Sequence, residues 1–238
     1  MPFRSEFPFV EAMNEAARTL GTPRSMEETV SAISFAAKDT VPHADHASIS
    51  LVDRHGTMHT LVPTDKFVAD ADRLQCELAE GPCLDAALGT PLVCSDDLAR
   101  DERWPLYAPR AVSMGVGGQM ALHLFDDTGS RGGLNLYFDR AGLIDAQTVA
   151  VAELFATLAA AAMGHARELD GLNRALQTRT NIGKAIGILM ERYELDEDRA
   201  FQFLVRTSQT GNVKLRVIAD EIIAASNKKV HGRPGDQG

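Results

Sequence analysis

The alternation of apolar and polar residues over the first third of the chain predicts helices followed by short strands. Residues 8–38 alternate at helical spacing, with a break at 21–23. Ser25 and Glu28 stand three residues apart, as in a capping box, and predict that a second helix begins there. Two further helices are predicted at 67–79 and 83–88, separated by a Glu-Gly-Pro break.

Five short apolar runs bounded by turn residues have the pattern of strands. They are residues 47–52, 58–62, 92–94, 112–125 and 133–138. Turn compositions at 53–56 and 126–130 predict that the first two runs and the last two runs form hairpins. Helices before and after a strand meander favour an α+β fold, with an antiparallel sheet and helices packed on one face.

A long helix is predicted from Asp145 to about Tyr193, because this stretch contains no proline. Eight of its residues follow one another at alternating spacings of three and four, as in a coiled-coil seam. They are Phe155, Leu158, Ala162, His165, Leu169, Leu172, Leu176 and Arg179. We interpret this helix as a linker that pairs with a second copy of the chain; the alternative is an amphipathic helix lying on its own sheet.

Two more helices are predicted after residue 195, completing a three-helix bundle. Asp196-Glu197-Asp198 is a typical helix start, and the helix is expected to run to about Thr210. Its inward residues are predicted to be Phe201, Leu204 and Val205. Asn212 is predicted to cap the last helix, whose apolar stripe comprises Leu215, Ile218, Ala219 and Ile222.

The charge is divided unevenly along the chain. The net charge is −9 over 238 residues, but residues 169–238 contain eleven Lys and Arg against nine Asp and Glu. The basic excess at the C-terminal end is a weak indication of nucleic-acid binding. Any contact with a nucleic acid must therefore depend on a few well-placed cations and not on a broad positive field.

Cysteine usage and hydropathy favour a cytoplasmic protein. The three cysteines have no zinc-type spacing, and the N-terminal residues lack the apolar run of a secretory signal. The longest apolar stretch, 154–163, is too short to span a bilayer, so no membrane partner is expected. Four histidines (His43, His46, His55 and His59) lie close in sequence but lack metal-ligand spacing, so we predict neither a metal nor a cofactor.

The segment from Leu172 to Ala225 closely resembles the ANTAR domain, the helical RNA-binding module of bacterial antitermination regulators. The likeness rests on the runs Lys184-Ala185-Ile186-Gly187-Ile188-Leu189-Met190, Ala200-Phe201, Leu204-Val205-Arg206 and Asn212-Val213-Lys214-Leu215-Arg216. It implies binding of RNA hairpin loops, in which cations neutralise phosphates and polar side chains read base edges. The implied RNA-binding residues are Arg179, Lys184, Arg206, Ser208, Gln209, Asn212, Lys214 and Arg216.

Residues 10–165 resemble a GAF domain, a small α/β sensory fold. The residues that carry this likeness are Glu80-Gly81-Pro82-Cys83-Leu84, Asp101 with Arg103-Trp104-Pro105, and Gly133-Leu134-Asn135-Leu136-Tyr137. The implied organisation is a GAF-like sensory domain with a linker helix at 1–168, an ANTAR domain at 169–228 and a flexible tail at 229–238. A GAF domain followed by an ANTAR domain is an architecture of actinobacterial regulators, and the resemblance implies a ligand for the first domain without identifying it.

Together these features predict a non-enzymatic, cytoplasmic regulator that binds dual RNA hairpins as a homodimer and acts by transcription antitermination or translational control. The alternative is a ligand- or redox-sensing protein-interaction module that does not bind RNA. An enzymatic hypothesis, reduction of free methionine sulfoxide by Cys76, Cys83 or Cys94, is less favoured because the cysteine spacing does not match. Cys83 near a helix start could also be a redox sensor, Trp104 a pocket wall, and Tyr193 and Phe203 base-stacking residues; the alternative for each is a place in the core.

Overall fold

The computed structural model describes residues 8–22, 24–53, 57–87, 89–127 and 130–231. The chain divides into two compact units, Met1–Glu168 and Leu169–Gly238. The helices are α1 (Pro8–Leu20), α2 (Met26–Thr40), α3 (Lys66–Leu78), α4 (Pro82–Ala87), α5 (Tyr107–Met114), α6 (Ala146–Tyr193), α7 (Glu197–Gly211) and α8 (Leu215–His231). The strands are β1 (His46–Val52), β2 (Met58–Thr60), β3 (Leu92–Ser95), β4 (Gly118–Asp127) and β5 (Ser130–Phe138).

The N-terminal unit is an α+β fold around one antiparallel sheet, as the sequence predicts. Its strand order is β2-β1-β5-β4-β3, and every neighbouring pair is antiparallel. Both predicted hairpins form, β1 with β2 and β4 with β5. Residues 54–56 and 128–129 of the two predicted turns lie outside the described residues.

Helices pack on both faces of this sheet, so the prediction of helices on one face is wrong. One apolar cluster joins the sheet to α1, α2 and α6, and a second joins it to α3, α4 and α5. Successive strand residues point to opposite faces, and neighbouring Leu136 and Tyr137 of β5 are both fully buried, one in each cluster. The apolar runs of the central strands therefore reflect burial on two sides.

The predicted strand at 112–125 is wrong in its first part, because residues 112–114 end helix α5 and the strand begins at Gly118. Gly115 ends α5 in the left-handed region, with φ of 108°, which glycine adopts readily. The pattern continues from the helix into the strand without a charged residue, so the sequence pattern merges the two elements. The first strand of the meander is predicted well, whereas β2 is shorter than expected.

Helix starts follow the predicted capping chemistry. Ser25 Oγ accepts from the backbone N–H of Glu28, and Glu28 Oε2 accepts from the backbone N–H of Ser25, which confirms the capping box. Asp196 caps α7 by accepting from the N–H of Arg199 at 2.8 Å. Such caps contribute about 1 kcal/mol each to stability.

Helix α6 runs for 48 residues, as the absence of proline predicts. By length and composition it is apolar enough to cross a membrane, although its longest uninterrupted apolar run is too short to predict a span. The apolar side chains of its first half, however, pack in the core of the N-terminal unit, with Phe155 and Ala159 fully buried and Met163 nearly so. Since the same residues serve a protein core, packing within the unit accounts for the hydropathy of this helix.

The predicted pairing seam of α6 divides into two parts. Phe155 is fully buried in its own unit, and Leu158 and Ala162 pack partly against the same core, so the alternative of a helix on its own sheet holds there. Leu172 and Leu176 further along are more than half exposed. An apolar surface free for a second helix therefore exists in the later part of the seam.

The C-terminal unit is the predicted three-helix bundle. The end of α6 packs with α7 and α8 around a small core of Ala185, Leu189, Ala200, Leu204, Ile218 and Ala219. Phe201 is 41% exposed, so its predicted inward position is wrong, and Ala200 takes that position beside Leu204. Helix α8 continues to His231, three residues into the predicted flexible tail, and residues 232–238 lie outside the described part.

Candidate functional site

The turn between α7 and α8 is held in one conformation by backbone and hydroxyl hydrogen bonds. Asn212 adopts the left-handed region with φ of 49°, and its N–H donates to the carbonyl oxygens of Gln209 and Ser208. The Ser208 hydroxyl donates to the Val213 carbonyl oxygen at 2.6 Å, and the Val213 N–H donates to the Ser208 carbonyl oxygen. Asn212 thus ends α7 and does not cap α8, which corrects the sequence prediction; asparagine tolerates this conformation better than most residues.

A positively charged stretch surrounds this turn. From Arg199 to Ala219 the chain contains four arginines and lysines and no aspartate or glutamate. Arg206, Lys214 and Arg216 are exposed, and their side chains make no ion pair with any described residue. Exposed cations that make no ion pair are available to neutralise phosphate groups.

Six of the eight predicted RNA-binding residues lie on or beside this turn. They are Arg206, Ser208, Gln209, Asn212, Lys214 and Arg216. All are exposed except Ser208, which is half-buried and whose hydroxyl proton is already engaged with Val213. Ser208 therefore shapes the turn, and its hydroxyl oxygen can still accept a hydrogen bond from a ligand.

The other two predicted residues, Arg179 and Lys184, lie on α6. Both are exposed, but a separation of five residues turns them about 140° apart around the helix. Lys184 lies about 100° and 140° around the helix from Ala185 and Leu189, which are in the core. The structure therefore does not bring these two cations onto one flat surface of α6.

The N-terminal unit contains a buried polar network that the sequence analysis missed. Asp72 of α3 has no exposed surface, and its carboxylate accepts from the hydroxyls of Ser48 (2.7 Å), Thr60 (2.9 Å) and Tyr137, and from the Asn135 amide (3.3 Å). Burial raises the pKa of Asp72, and the hydrogen bonds from the hydroxyls oppose that rise. A pattern in the sequence could have indicated it, because Asp72 stands four residues after buried Val68 on the inward side of α3.

The network extends across the sheet toward α4 and α5. The Gln75 amide donates to Tyr137 at 3.0 Å, and its oxygen accepts from the Cys83 N–H at 2.9 Å. Tyr107 donates to Gln119, while Gln119 Nε2 and Asn135 Oδ1 are buried with no partner among the described residues. This interior is polar, and its two unpartnered atoms have hydrogen-bonding capacity to spare.

The residues that carry the GAF likeness hold α4 and α5 in place. Glu80 Oε2 accepts from the backbone N–H of Tyr107 at 3.1 Å and from that of Leu106. Trp104 is 3% exposed and donates to Asp85 at 2.9 Å, with the Arg103 guanidinium 4.3 Å from its ring centre. Trp104 is thus a core residue and not the wall of an open pocket.

Cys83 does not have the properties of a reactive thiol. It is buried, its Sγ lies 3.3 Å from Met58 Sδ, and burial raises its pKa to about 12. Burial also raises the pKa of the Cys94 thiol. Because the thiolate is the nucleophile, burial and the raised pKa contradict the hypothesis that Cys83, near a helix start, is a redox sensor.

Among the clustered histidines that the structure describes, His46 is fixed by hydrogen bonds. His46 lies between two carboxylates, with Nδ1 2.5 Å from Asp65 and Nε2 3.1 Å from Asp139. His59 approaches Asp53 at 3.8 Å, and His55 lies outside the described residues. Over the described ranges, no group of three or more His, Cys, Asp and Glu side chains is arranged to hold a metal ion.

The two units of the chain correspond to two families of regulatory domains. Residues 23–164 match the family model of the GAF domain, and residues 170–223 match that of the ANTAR domain. The chain belongs to the GAF family and has the GAF-ANTAR architecture. The ANTAR match supports RNA-binding antitermination regulation, and the GAF match supports sensing; both are regulatory domains. No curated protein matches the sequence.

Solved structures confirm the fold of the N-terminal unit. The GAF domain of a phosphoenolpyruvate-protein phosphotransferase from Coxiella burnetii is 14% identical with a TM-score of 0.54, covering 68% of this chain and 96% of that one. Bacteriophytochrome RpBphP3 from R. palustris is 12% identical with a TM-score of 0.56, covering 79% of this chain and 43% of that one. Free methionine-R-sulfoxide reductase from Neisseria meningitidis is 13% identical with a TM-score of 0.50, covering 68% and 91%. At such identities the likeness extends to the fold alone.

Proposed function

We propose that the protein is a cytoplasmic regulator that binds two hairpins of one RNA as a homodimer and acts by transcription antitermination or translational control. The observation that carries this proposal is the ANTAR match over a surface where exposed, unpaired cations surround the α7–α8 turn. Residues 169–228 would bind the RNA, and residues 1–168 would sense a signal.

The proposed RNA contacts follow from the side chains at the turn. Arg206, Lys214 and Arg216 would neutralise phosphates, and Gln209 and Asn212 would read the edges of unpaired bases. Ser208 would fix the turn that presents them, through its bond to Val213. Arg179 and Lys184 would reach the RNA from two different sides of α6.

Dimerisation is proposed through the later part of α6. Leu172 and Leu176 are 58% and 55% exposed and stand four residues apart on one side of the helix. Pairing would remove both from water and place two RNA-binding units in one molecule. Two modest sites that are linked in this way gain effective concentration on an RNA with two suitably spaced hairpins.

The first prediction is that Lys214→Ala/Arg216→Ala weakens RNA binding and its salt dependence. Each lost phosphate contact is expected to reduce the slope of log affinity against log salt by about 1, and the two together to lower affinity at least about tenfold. Filter binding over a salt series measures both quantities. The probe is the tightest RNA that the full-length protein selects from a pool of dual hairpins with randomised loops.

Lys38→Ala/Arg110→Ala is the matched control, because both residues are exposed cations of the N-terminal unit and the variant loses the same charge. It is expected to bind the selected RNA like the unmodified protein. Failure to select any RNA over scrambled sequence at physiological salt would contradict the proposed function.

The second prediction concerns assembly: Leu172→Asn/Leu176→Asn should raise the dimer dissociation constant at least about a hundredfold. Burying a leucine stabilises an association by about 1.5 to 3 kcal/mol, and a symmetric dimer loses both residues twice. Sedimentation equilibrium measures the constant, with Leu106→Asn as a control at a leucine 55% exposed in the N-terminal unit. A protein that stays monomeric with and without the selected RNA would refute pairing through α6.

A further inference from the structure

All three aromatic residues of the C-terminal unit lie on its surface. Tyr193, Phe201 and Phe203 are 53%, 41% and 44% exposed, and the core of this unit contains alanine, leucine and isoleucine instead. Tyr193 ends α6, and its ring centre lies 6.0 Å from that of Phe203 on α7, with a tilt of 30°. Tyr193 and Phe203 thus form one exposed aromatic pair, called here the Tyr193–Phe203 pair.

This pair is not explained by the packing of the bundle. The inward side of α7 carries Ala200 and Leu204, which are fully buried, whereas Phe203 lies about 60° and 100° around the helix from them and is 44% exposed. An amphipathic helix normally places polar side chains on its outer face. Large aromatic side chains that remain half exposed in adjacent elements are typical of a surface that receives a ligand.

Phe203 begins a row of proposed RNA contacts along α7. Residues three apart are neighbours on a helix surface, so Phe203, Arg206 and Gln209 follow one another toward the α7–α8 turn. Arg199 precedes Phe203 by four residues on the same side, and its exposed guanidinium lies 3.5 Å from Asp196. The aromatic pair therefore lies at one end of the surface that carries the cations.

Charge sets the direction in which RNA can approach. Glu194, Asp196 and Glu197 are exposed beside the pair at the start of α7, whereas the chain contains no acidic residue from Arg199 to Ala219. A phosphate backbone is repelled on the first side and attracted on the second. An uncharged base face, in contrast, can occupy the aromatic rings between the two.

Resting on the proposed function, we infer that the Tyr193–Phe203 pair is a stacking platform for an unpaired base of the RNA loop, while the neighbouring Arg206 holds its phosphate. Stacking of bases on aromatic rings is how single-stranded nucleotides are commonly held, and it tolerates different bases because each has a flat face. The platform adds affinity without adding charge.

The test compares Phe203→Leu and Tyr193→Leu with Phe203→Trp in the full-length chain, using the RNA selected above. Either leucine variant should bind roughly tenfold more weakly with an unchanged salt slope, because a ring is lost and no cation is. Phe203→Trp should retain the affinity. Phe201→Leu is the matched control, since Phe201 is exposed to a similar degree but lies about 160° away around α7.

Stacking itself is measured by placing 2-aminopurine, whose fluorescence falls on stacking, at each loop position of that RNA in turn. One position should be quenched by the unmodified protein and less quenched by Phe203→Leu. An abasic nucleotide at that position should weaken binding to the unmodified protein but have little further effect on Phe203→Leu.

Three results would overturn the inference. Phe203→Leu and Tyr193→Leu could bind like the unmodified protein while Lys214→Ala/Arg216→Ala binds weakly, which leaves RNA binding intact and removes the platform. The leucine variants could change the dimer dissociation constant and not the RNA affinity, which would assign the pair to a second copy of the chain. If Phe203→Leu and an abasic nucleotide lowered the affinity independently at every loop position, the ring would not touch a base.

Discussion

Asp72→Ala is expected to lower the free energy of unfolding of the N-terminal unit by roughly 2 to 4 kcal/mol. The substitution removes the acceptor of the Tyr137, Ser48 and Thr60 hydroxyls and of the Asn135 amide. All of these residues are fully buried except Thr60, which is half-buried. A buried donor without a partner costs about 1 to 3 kcal/mol, and some hydroxyls can turn to other acceptors. Part of this loss in unfolding free energy is offset, because alanine removes the cost of burying a carboxyl group.

Urea unfolding followed by Trp104 fluorescence measures this change for one unit. Trp104 is the single tryptophan of the chain and is buried in the N-terminal unit, so its signal reports that unit separately from the ANTAR unit. This separation matters because a chain of two units need not unfold in one step. A loss below about 1 kcal/mol would show that the network does not depend on Asp72.

Asp72→Asn is the matched variant, and it separates hydrogen bonding from charge. Its amide oxygen can accept from Tyr137 and Asn135, and its amide N–H groups can donate to Ser48 and Thr60, so a smaller loss is expected. Burial raises the pKa of Asp72 above its ordinary value of 3.8, so the folded protein takes up this proton at a higher pH than the unfolded chain.

The sign of the pH dependence follows from this raised pKa. The unfolding free energy of the unmodified protein, relative to that of Asp72→Asn, should increase as pH falls from 7 toward 4, and this gain should be lost again as pH rises through the raised pKa. When both proteins are measured across this range, the contributions of all other titrating groups cancel in the difference between their unfolding free energies. A difference that decreases with falling pH would mean that Asp72 is stabilised as the charged form.

Gly117→Ala is expected to destabilise the N-terminal unit by roughly 2 to 3 kcal/mol, because its Cβ would meet backbone and not a movable side chain. That atom would lie 2.4 Å from the carbonyl carbon of Arg140 and 2.5 Å from the backbone nitrogen of Ala141. Gly117 is also fixed at both polar groups: its N–H donates to Phe138 at 2.8 Å, and its carbonyl oxygen accepts from Leu98 at 2.9 Å. Relief of the clash would therefore displace the segment that leads from β5 to α6.

Gly133→Ala is the control, because a Cβ there meets the Leu122 carbonyl oxygen at an ordinary 3.5 Å. Both glycines lie in the same unit, so Trp104 fluorescence reports both variants under the same conditions. The control is expected to change the unfolding free energy by less than about 1 kcal/mol. Equal effects of the two substitutions would show that the close approach of residues 140–141 is not what requires glycine at 117.

The local features of the fold are predictable from sequence because local chemistry determines them. The capping box at Ser25, the hairpin after Val52 and the long uninterrupted helix all depend on residues within a few positions of one another. Helix α5 was missed because Val112 and its neighbours continue the apolar pattern of the next strand. The second helical layer was missed because apolar runs show burial, but do not show how many faces are buried.

The candidate sites also differ in how much of them the local sequence predicts. The resemblance identified a set of RNA-binding residues, most of which are close in sequence. In the structure the α7–α8 turn lies among them. The buried network combines Asp72 with Asn135, 63 positions away, and no short-range pattern joins such residues. The sequence alone does not assign Tyr193 and Phe203 to the core or to the surface. Apolar residues at helical spacing are found both in a filled core and in an exposed aromatic pair.

The stretch of α6 from Gly171 to Thr180 has almost no tertiary packing, since every residue except Thr178 is exposed. Local bonds such as that from the Arg174 guanidinium to the Asp170 carbonyl oxygen support it, but an unpacked helix of this length is marginal in water. Its backbone amides should therefore exchange with solvent deuterium far faster than those of the buried first half of α6. If a second helix covers Leu172 and Leu176, the exchange rate of this stretch becomes a direct readout of protein concentration.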